Sequence, residues 1–93
     1  MKIPNNGVLK FYANWCGPCK NLAPIMEELK KEHEDIEFLD VDVDDSEGKH
    51  LAEKYGVRSI PAVIFIREGE ENSRLVGLKS KAVYEACIVG IQE

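Results

Sequence analysis

Two cysteines separated by two residues, Cys16 and Cys19, stand between an apolar run and a helical pattern. The run is Val8-Leu9-Lys10-Phe11-Tyr12-Ala13, and the pattern is Leu22, Ile25, Met26 and Leu29. The chain therefore reads strand, two thiols, helix, which is the setting in which Cys-x-x-Cys indicates thiol–disulfide exchange. A helix that begins at Gly17 or Pro18 leaves unpaired N–H groups and a partial positive charge at its first turn. A thiolate held there is stabilised, so its pKa falls below the free value of about 8.5. A Cys16–Cys19 bridge would close a very small loop and constrain little of the unfolded chain, which weakens a purely structural role. A zinc site needs two more ligands, and Cys87, His33 and His50 show no ligand spacing, so no metal is expected.

The length of 93 residues suits one domain, 1–93, and leaves no room for two. The balance of 12 basic and 17 acidic side chains, net −5, provides no attraction for nucleic acid or anionic membranes. No stretch approaches the ~20 apolar residues of a membrane span, and the first seven residues hold no signal-peptide core. A cytoplasmic location is expected, where thiols stay reduced. The odd count of three cysteines also argues against a secreted disulfide framework.

Residues 1–7 read as a disordered or extended lead-in, with Pro4 and Asn5-Asn6-Gly7 as breakers. A strand over 8–13 places Leu9, Phe11 and Ala13 on one face and Val8, Lys10 and Tyr12 on the other. Lys10 is a charge inside an apolar run. A helix over 18–33 accepts Pro18 in its first turn, and Pro24 interrupts its interior. The strand over 36–43 sets Leu39, Val41 and Val43 against Phe38, Asp40 and Asp42. Asp40-x-Asp42-x-Asp44 alternates with valines and lacks the sixth-position glycine of a calcium loop, counted from Asp40 or from Asp42, although Glu53 fits the twelfth position in the second frame. Ser46 is the cap candidate for a helix over 47–55 that Gly56 ends. The strand over 62–66 is apolar throughout, so both faces are covered. A turn over 67–72 leads to a return strand over 73–76, and a helix over 80–91 follows. Its apolar stripe is Val83, Cys87 and Ile91, with Tyr84 and Ile88 beside it, and Cys87 is expected to be a buried core residue. His33 and His50 lie in charged stretches and receive no role. The order is β-α-β-α-β-β-α. Helix-separated strands are expected to pair in parallel and hairpin strands antiparallel, giving an α/β fold: a mixed four-stranded sheet with helices on both faces.

Trp15-Cys16-Gly17-Pro18-Cys19-Lys20 resembles the active-site motif of the thioredoxin family. Tyr55-Gly56-Val57-Arg58-Ser59-Ile60-Pro61 resembles its second signature, and Pro24, Gly69 and Val76-Gly77 fall at matching positions. The resemblance covers the chain from about Val8 onward and implies the thioredoxin fold. The seven leading residues cannot supply the family's additional first strand and helix, an outline closer to glutaredoxins and short viral or archaeal thioredoxins. The family also places a buried Asp where this chain has Lys10, and commonly a Lys at the position of Asp40. The pair is exchanged in sign.

The resemblance implies the following roles. Cys16 is the nucleophile and Cys19 the resolving thiol, with Gly17 and Pro18 shaping the turn between them. Trp15, Ile60, Pro61, Val76 and Gly77 form an exposed docking surface for substrate, and the Ile60–Pro61 peptide is cis. Lys10 and Asp40 support the site, either as a structural pair or with Asp40 taking up the proton-relay role. No bound cofactor is implied; electrons are expected from NADPH through thioredoxin reductase. Disulfide-containing proteins such as ribonucleotide reductase are the expected substrates, and the chain is expected to be a monomer. Two alternatives stay open: a glutathione-linked, glutaredoxin-like reductase, and a non-catalytic partner subunit of the thioredoxin type.

Overall fold

The computed structural model describes residues 1–92. In chain order it contains β1 (Gly7–Tyr12), α1 (Gly17–Glu32), β2 (Glu37–Asp42), α2 (Ser46–Lys54), β3 (Ala62–Arg67), β4 (Glu70–Val76) and α3 (Lys81–Ile91). The sheet order is β2-β1-β3-β4. Alternation along β1 divides the core into two. Val8 joins Leu22, Met26 and Leu29 of α1 and Tyr84, Ile88 and Ile91 of α3 on one face. Leu9 and Phe11 join Leu51 and Ala52 of α2 on the other. β3 lies between β1 and β4, and Val63, Ile64, Phe65 and Ile66 are wholly buried. That is why β3 is apolar at successive positions rather than alternately. Each large side chain so buried contributes about 1.5–3 kcal/mol.

The mixed sheet with helices on both faces agrees with the sequence, but one pairing does not. β1 and β2 are parallel, joined through α1. β3 pairs with β1 rather than with β2, and antiparallel, Phe11 opposite Ala62 and Gly7 opposite Ile66. β2 ends and β3 begins at the same end of the sheet, so the helix between them does not make a parallel crossover. Residues 43–61 instead go out through α2 and return through a non-helical leg.

Local chemistry accounts for several shifted boundaries. The hairpin turn is only Glu68-Gly69, with φ of 53° and 82°, and Arg67 pairs with Glu70 across it. Two left-handed residues match the twist of adjoining strands. β4 therefore starts at Glu70, earlier than expected, and the register slips once, passing from Phe65–Ser73 to Ile66–Glu71. The leading residues are tied to the sheet and to α3 by hydrogen bonds. Gly69 N–H donates to Asn5 O at 2.9 Å, and Asn6 Nδ2 donates to Ile91 O. Ser46 is the first residue of α2 and not its cap; Asp45 holds the cap position. Ser80 does occupy the cap position of α3.

The buried stripe of α3 is Tyr84, Ile88 and Ile91; Val83 is 40% exposed and Cys87 half-buried. Burying the tyrosine ring removes more apolar surface than burying a valine. Its hydroxyl is also satisfied, accepting from Lys79 N–H at 3.0 Å and donating to Gly77 O at 3.2 Å. Burial raises the Tyr84 hydroxyl pKa and the Lys79 hydrogen bond partly offsets this. His33, which the sequence left without a role, ties α1 to α3: its Nε2 lies 2.6 Å from Glu85 Oε2. Among the described residues, no helix is long and apolar enough to cross a membrane.

Candidate active site

The two thiols lie where β1 hands over to α1. Ala13 accepts the Cys16 N–H at 3.1 Å, turning the chain sharply before the helix. Cys16 is the N-cap of α1 with extended backbone, φ −85° and ψ 111°, and its Sγ accepts the Cys19 N–H at 3.3 Å. Pro18 falls in the first turn, where its missing N–H leaves no bond unmade. No acidic residue lies in that turn to oppose a thiolate. Cys16 and Cys19 are joined as a disulfide, with Cα atoms 5.3 Å apart.

Cys16 is less open than a helix-start position suggests: it is 5% exposed, the same as Cys19. With its sulfur tied inward, it packs with Ala13 and Cys19 against Tyr12, Val43 and Ile60. The surroundings are open, since Gly17 and Pro18 are exposed and Trp15 is 70% exposed. Trp15 Nε1 donates to Asp44 Oδ2 at 2.9 Å, which satisfies the indole N–H and leaves the ring face free. Nothing in the spacing of these residues signals that bond.

Of the docking residues read from sequence, Val76 is 47% exposed, while Ile60 and Gly77 are half-buried. Pro61 is buried and so is not part of an exposed surface. Its carbonyl accepts the Gly77 N–H at 2.8 Å, and this bond brings the 60–61 and 76–77 loops together. The Ile60–Pro61 peptide is cis, as the resemblance implies. Tyr84 supports the same corner from α3 through its bonds to Gly77 and Lys79. The helical pattern of α3 marked Tyr84 as apolar but not as a loop support. A groove of about 270 Å³ borders Trp15, lined by Val43, Ala52, Val57, Arg58 and Ile60 among others.

Lys10 and Asp40, paired through the resemblance, are neighbours. They are register partners, and Lys10 Nζ lies 3.6 Å from Asp40 Oδ1. The lysine is 9% exposed as a residue, whereas the Asp40 side chain is 59% exposed. The ammonium also stands 5.3 Å from the Tyr12 ring centroid. Lys10, Asp40, Tyr12 and Cys19 all line one cavity of about 250 Å³. The Tyr12 hydroxyl pKa is raised above 10.0, chiefly by burial and further by Asp42 and Asp40.

The geometry is that of a redox dithiol at a helix N-terminus beside an apolar, partly exposed surface. The Thioredoxin family profile matches residues 2–89. Thioredoxin from Mycoplasmoides gallisepticum is 45% identical over 74 residues, 80% of this chain and 72% of the relative. The crystal structure of thioredoxin NaTrxh from Nicotiana alata superposes with a TM-score of 0.88 at 32% identity, covering 99% of this chain and 77% of the other. A thioredoxin variant from Halobacterium salinarum NRC-1 gives 0.87 at 34% identity, covering 96% and 76%. The profile match, the relative and the superpositions cover most of the chain, the profile match including the dithiol, and it follows that this chain belongs to the thioredoxin family, as a dithiol protein-disulfide oxidoreductase.

Proposed function

We propose that the chain, as one domain and as a monomer, reduces protein disulfides in the cytoplasm, with Cys16 as nucleophile and Cys19 as resolving thiol. The observation that supports these roles is the cap geometry. Cys16 precedes the helix, where the first-turn N–H groups converge, and Cys19 lies inside the turn. The Cys16 thiolate attacks one sulfur of the substrate disulfide; that bond breaks and a mixed disulfide forms. The first substrate thiolate leaves and takes up a proton. Cys19 then loses its proton, and its sulfur attacks Cys16 Sγ. The Cys16–Cys19 bond forms and the second substrate thiolate departs. The chain gives up two electrons and two protons in all, and the substrate gains both. Because the second attack is intramolecular, it outpaces escape of the intermediate.

Trp15, Ile60, Val76 and Gly77 form the docking surface, with Pro61 placing Ile60 from beneath. An extended substrate segment pairs with the Ile60 backbone, as in strand addition. Electrons that reset the disulfide come from NADPH through thioredoxin reductase, and ribonucleotide reductase is among the substrates. Asp40, on the wall of the Cys19 cavity, accepts the proton that Cys19 gives up.

The test is reduction of insulin disulfides with two electron sources. NADPH with thioredoxin reductase is expected to sustain turnover, and glutathione is not. Turnover with glutathione alone would move the chain to the glutaredoxin-like reading. Asp40→Asn is expected to slow exchange several-fold and shift its pH profile. An unchanged rate and profile would remove Asp40 from the proton path.

A further inference from the structure

Lys10 is the one charged side chain among the buried described residues. It lies on the Val8–Tyr12 face of β1, the face that α1 covers. A buried ammonium is unfavourable unless a counter-charge or hydrogen bonds compensate it. The Lys10 stem is buried while its Nζ opens onto a cavity, and neither neighbour holds the ammonium tightly. The Asp40 contact is 3.6 Å and its carboxylate is mostly in solvent, where ion pairs are screened. The Tyr12 ring centroid at 5.3 Å offers a weak attraction. Among the described residues, Lys10 Nζ makes no hydrogen bond. Its cavity is shared with Cys19.

In the disulfide form Cys19 is neutral. The exchange cycle requires an anion at that place, because the resolving attack needs Cys19 as thiolate. Cys19 is 5% exposed, and burial opposes its ionisation. The helix terminus favours Cys16, the capping residue, more than a residue already inside the first turn. The other charged or titratable groups on this cavity are Lys20 of α1, Tyr12 of β1 and Asp40 of β2. Lys20 is exposed and screened. Tyr12 has its pKa raised and stays neutral, and Asp40 carries the wrong sign for holding an anion.

We propose that the Lys10 ammonium is the counter-charge of the Cys19 thiolate, so that Lys10 acts through Cys19 to promote resolution of the mixed disulfide. The inference rests on Cys19 being the resolving thiol. When the Cys16–Cys19 bond accepts two electrons and breaks, the anion left on Cys19 lies on the cavity that Lys10 also lines. When Cys19 attacks Cys16 again, the same cation lowers the cost of removing its proton. The exchanged sign at positions 10 and 40 then has a division of labour: Lys10 holds the thiolate, and Asp40 takes the proton.

The test titrates Cys19 by thiolate ultraviolet absorbance in a Cys16→Ser, Cys87→Ser background. Lys10→Met keeps the length and removes the charge. It is expected to lower the Cys19 thiolate fraction about tenfold at a given pH below the titration midpoint. Lys10→Arg restores most of that loss, and Lys20→Met moves the titration far less than Lys10→Met. In the protein with both active-site cysteines, at a pH where Cys19 is ionised, Lys10→Met shifts the equilibrium constant against a reference dithiol toward the disulfide by about tenfold. That equals ~30 mV for a two-electron couple. A Lys10→Met titration that overlays the parent, or an arginine variant as impaired as methionine, overturns the proposal. In the unsubstituted protein, the Lys10 Cε resonance should move with the Cys19 titration, and a resonance that ignores it overturns the proposal without any variant. Failure of the unsubstituted protein to reduce insulin would strike at the dithiol reading itself, a different result from normal turnover that is indifferent to Lys10.

Discussion

Replacing Cys16 with serine abolishes disulfide reduction, while replacing Cys19 with serine produces a protein that captures its target and does not release it. A serine hydroxyl at position 16 stays protonated at neutral pH even at a helix terminus, so the first attack is lost. The expected fall is at least about 10³-fold, equivalent to ~4 kcal/mol of barrier. Cys19→Ser keeps the attacking sulfur but removes the neighbour that breaks the mixed disulfide. One substrate molecule per chain then accumulates as a covalent adduct, visible by mass spectrometry and released by an added dithiol. The two variants therefore fail in different ways, which a loss of folding would not produce. Full biological activity in the Cys16→Ser, Cys19→Ser double variant would instead favour the non-catalytic partner subunit.

Gly48→Ala should unfold the α2 face despite alanine's better helix propensity. In an ordinary helix interior the exchange stabilises by about 0.5–1 kcal/mol. Here a Cβ would stand 1.8 Å from the Asp42 carbonyl oxygen and 2.7 Å from its carbon, both backbone atoms. Neither moves without displacing α2 or the end of β2. The expected result is a loss of about 2–3 kcal/mol, in the range of severe overpacking. For a domain of this size that lowers the thermal midpoint by roughly 10 °C or more. Exchange activity should also weaken, because Val43 and Asp44, which contact the thiols and Trp15, lie between β2 and α2. A denaturation midpoint equal to or above the parent's would show that α2 does not need this close approach.

The legible and illegible parts of the fold differ in range. Alternation along residues 8–12 and the period of Leu22, Met26 and Leu29 are local, and both placed their side chains on the correct faces. The partner of β3 was not local. A nine-residue helix after β2 looks like a crossover until its return leg is seen, so the antiparallel β1–β3 ladder could not be read from spacing. The buried stripe of α3 turned on competition between Val83 and Tyr84. The tyrosine won because Gly77 and Lys79 were in place to receive its hydroxyl.

The active site shows the same division. The pair Cys16 and Cys19 and the helix behind it follow from short spacings, so the sequence by itself determined them; the Lys10–Asp40 pair was legible only through the family resemblance, and the strand register made them neighbours. Tertiary structure decided what surrounds them. It buried Cys16 with Cys19, set Pro61 beneath the surface, bonded Trp15 to Asp44, and put Lys10 and Cys19 on one cavity. Those outcomes depend on how far a helix and two loops approach the sheet in three dimensions. Burial and electrostatics follow from that approach, and no local pattern in the chain encodes it.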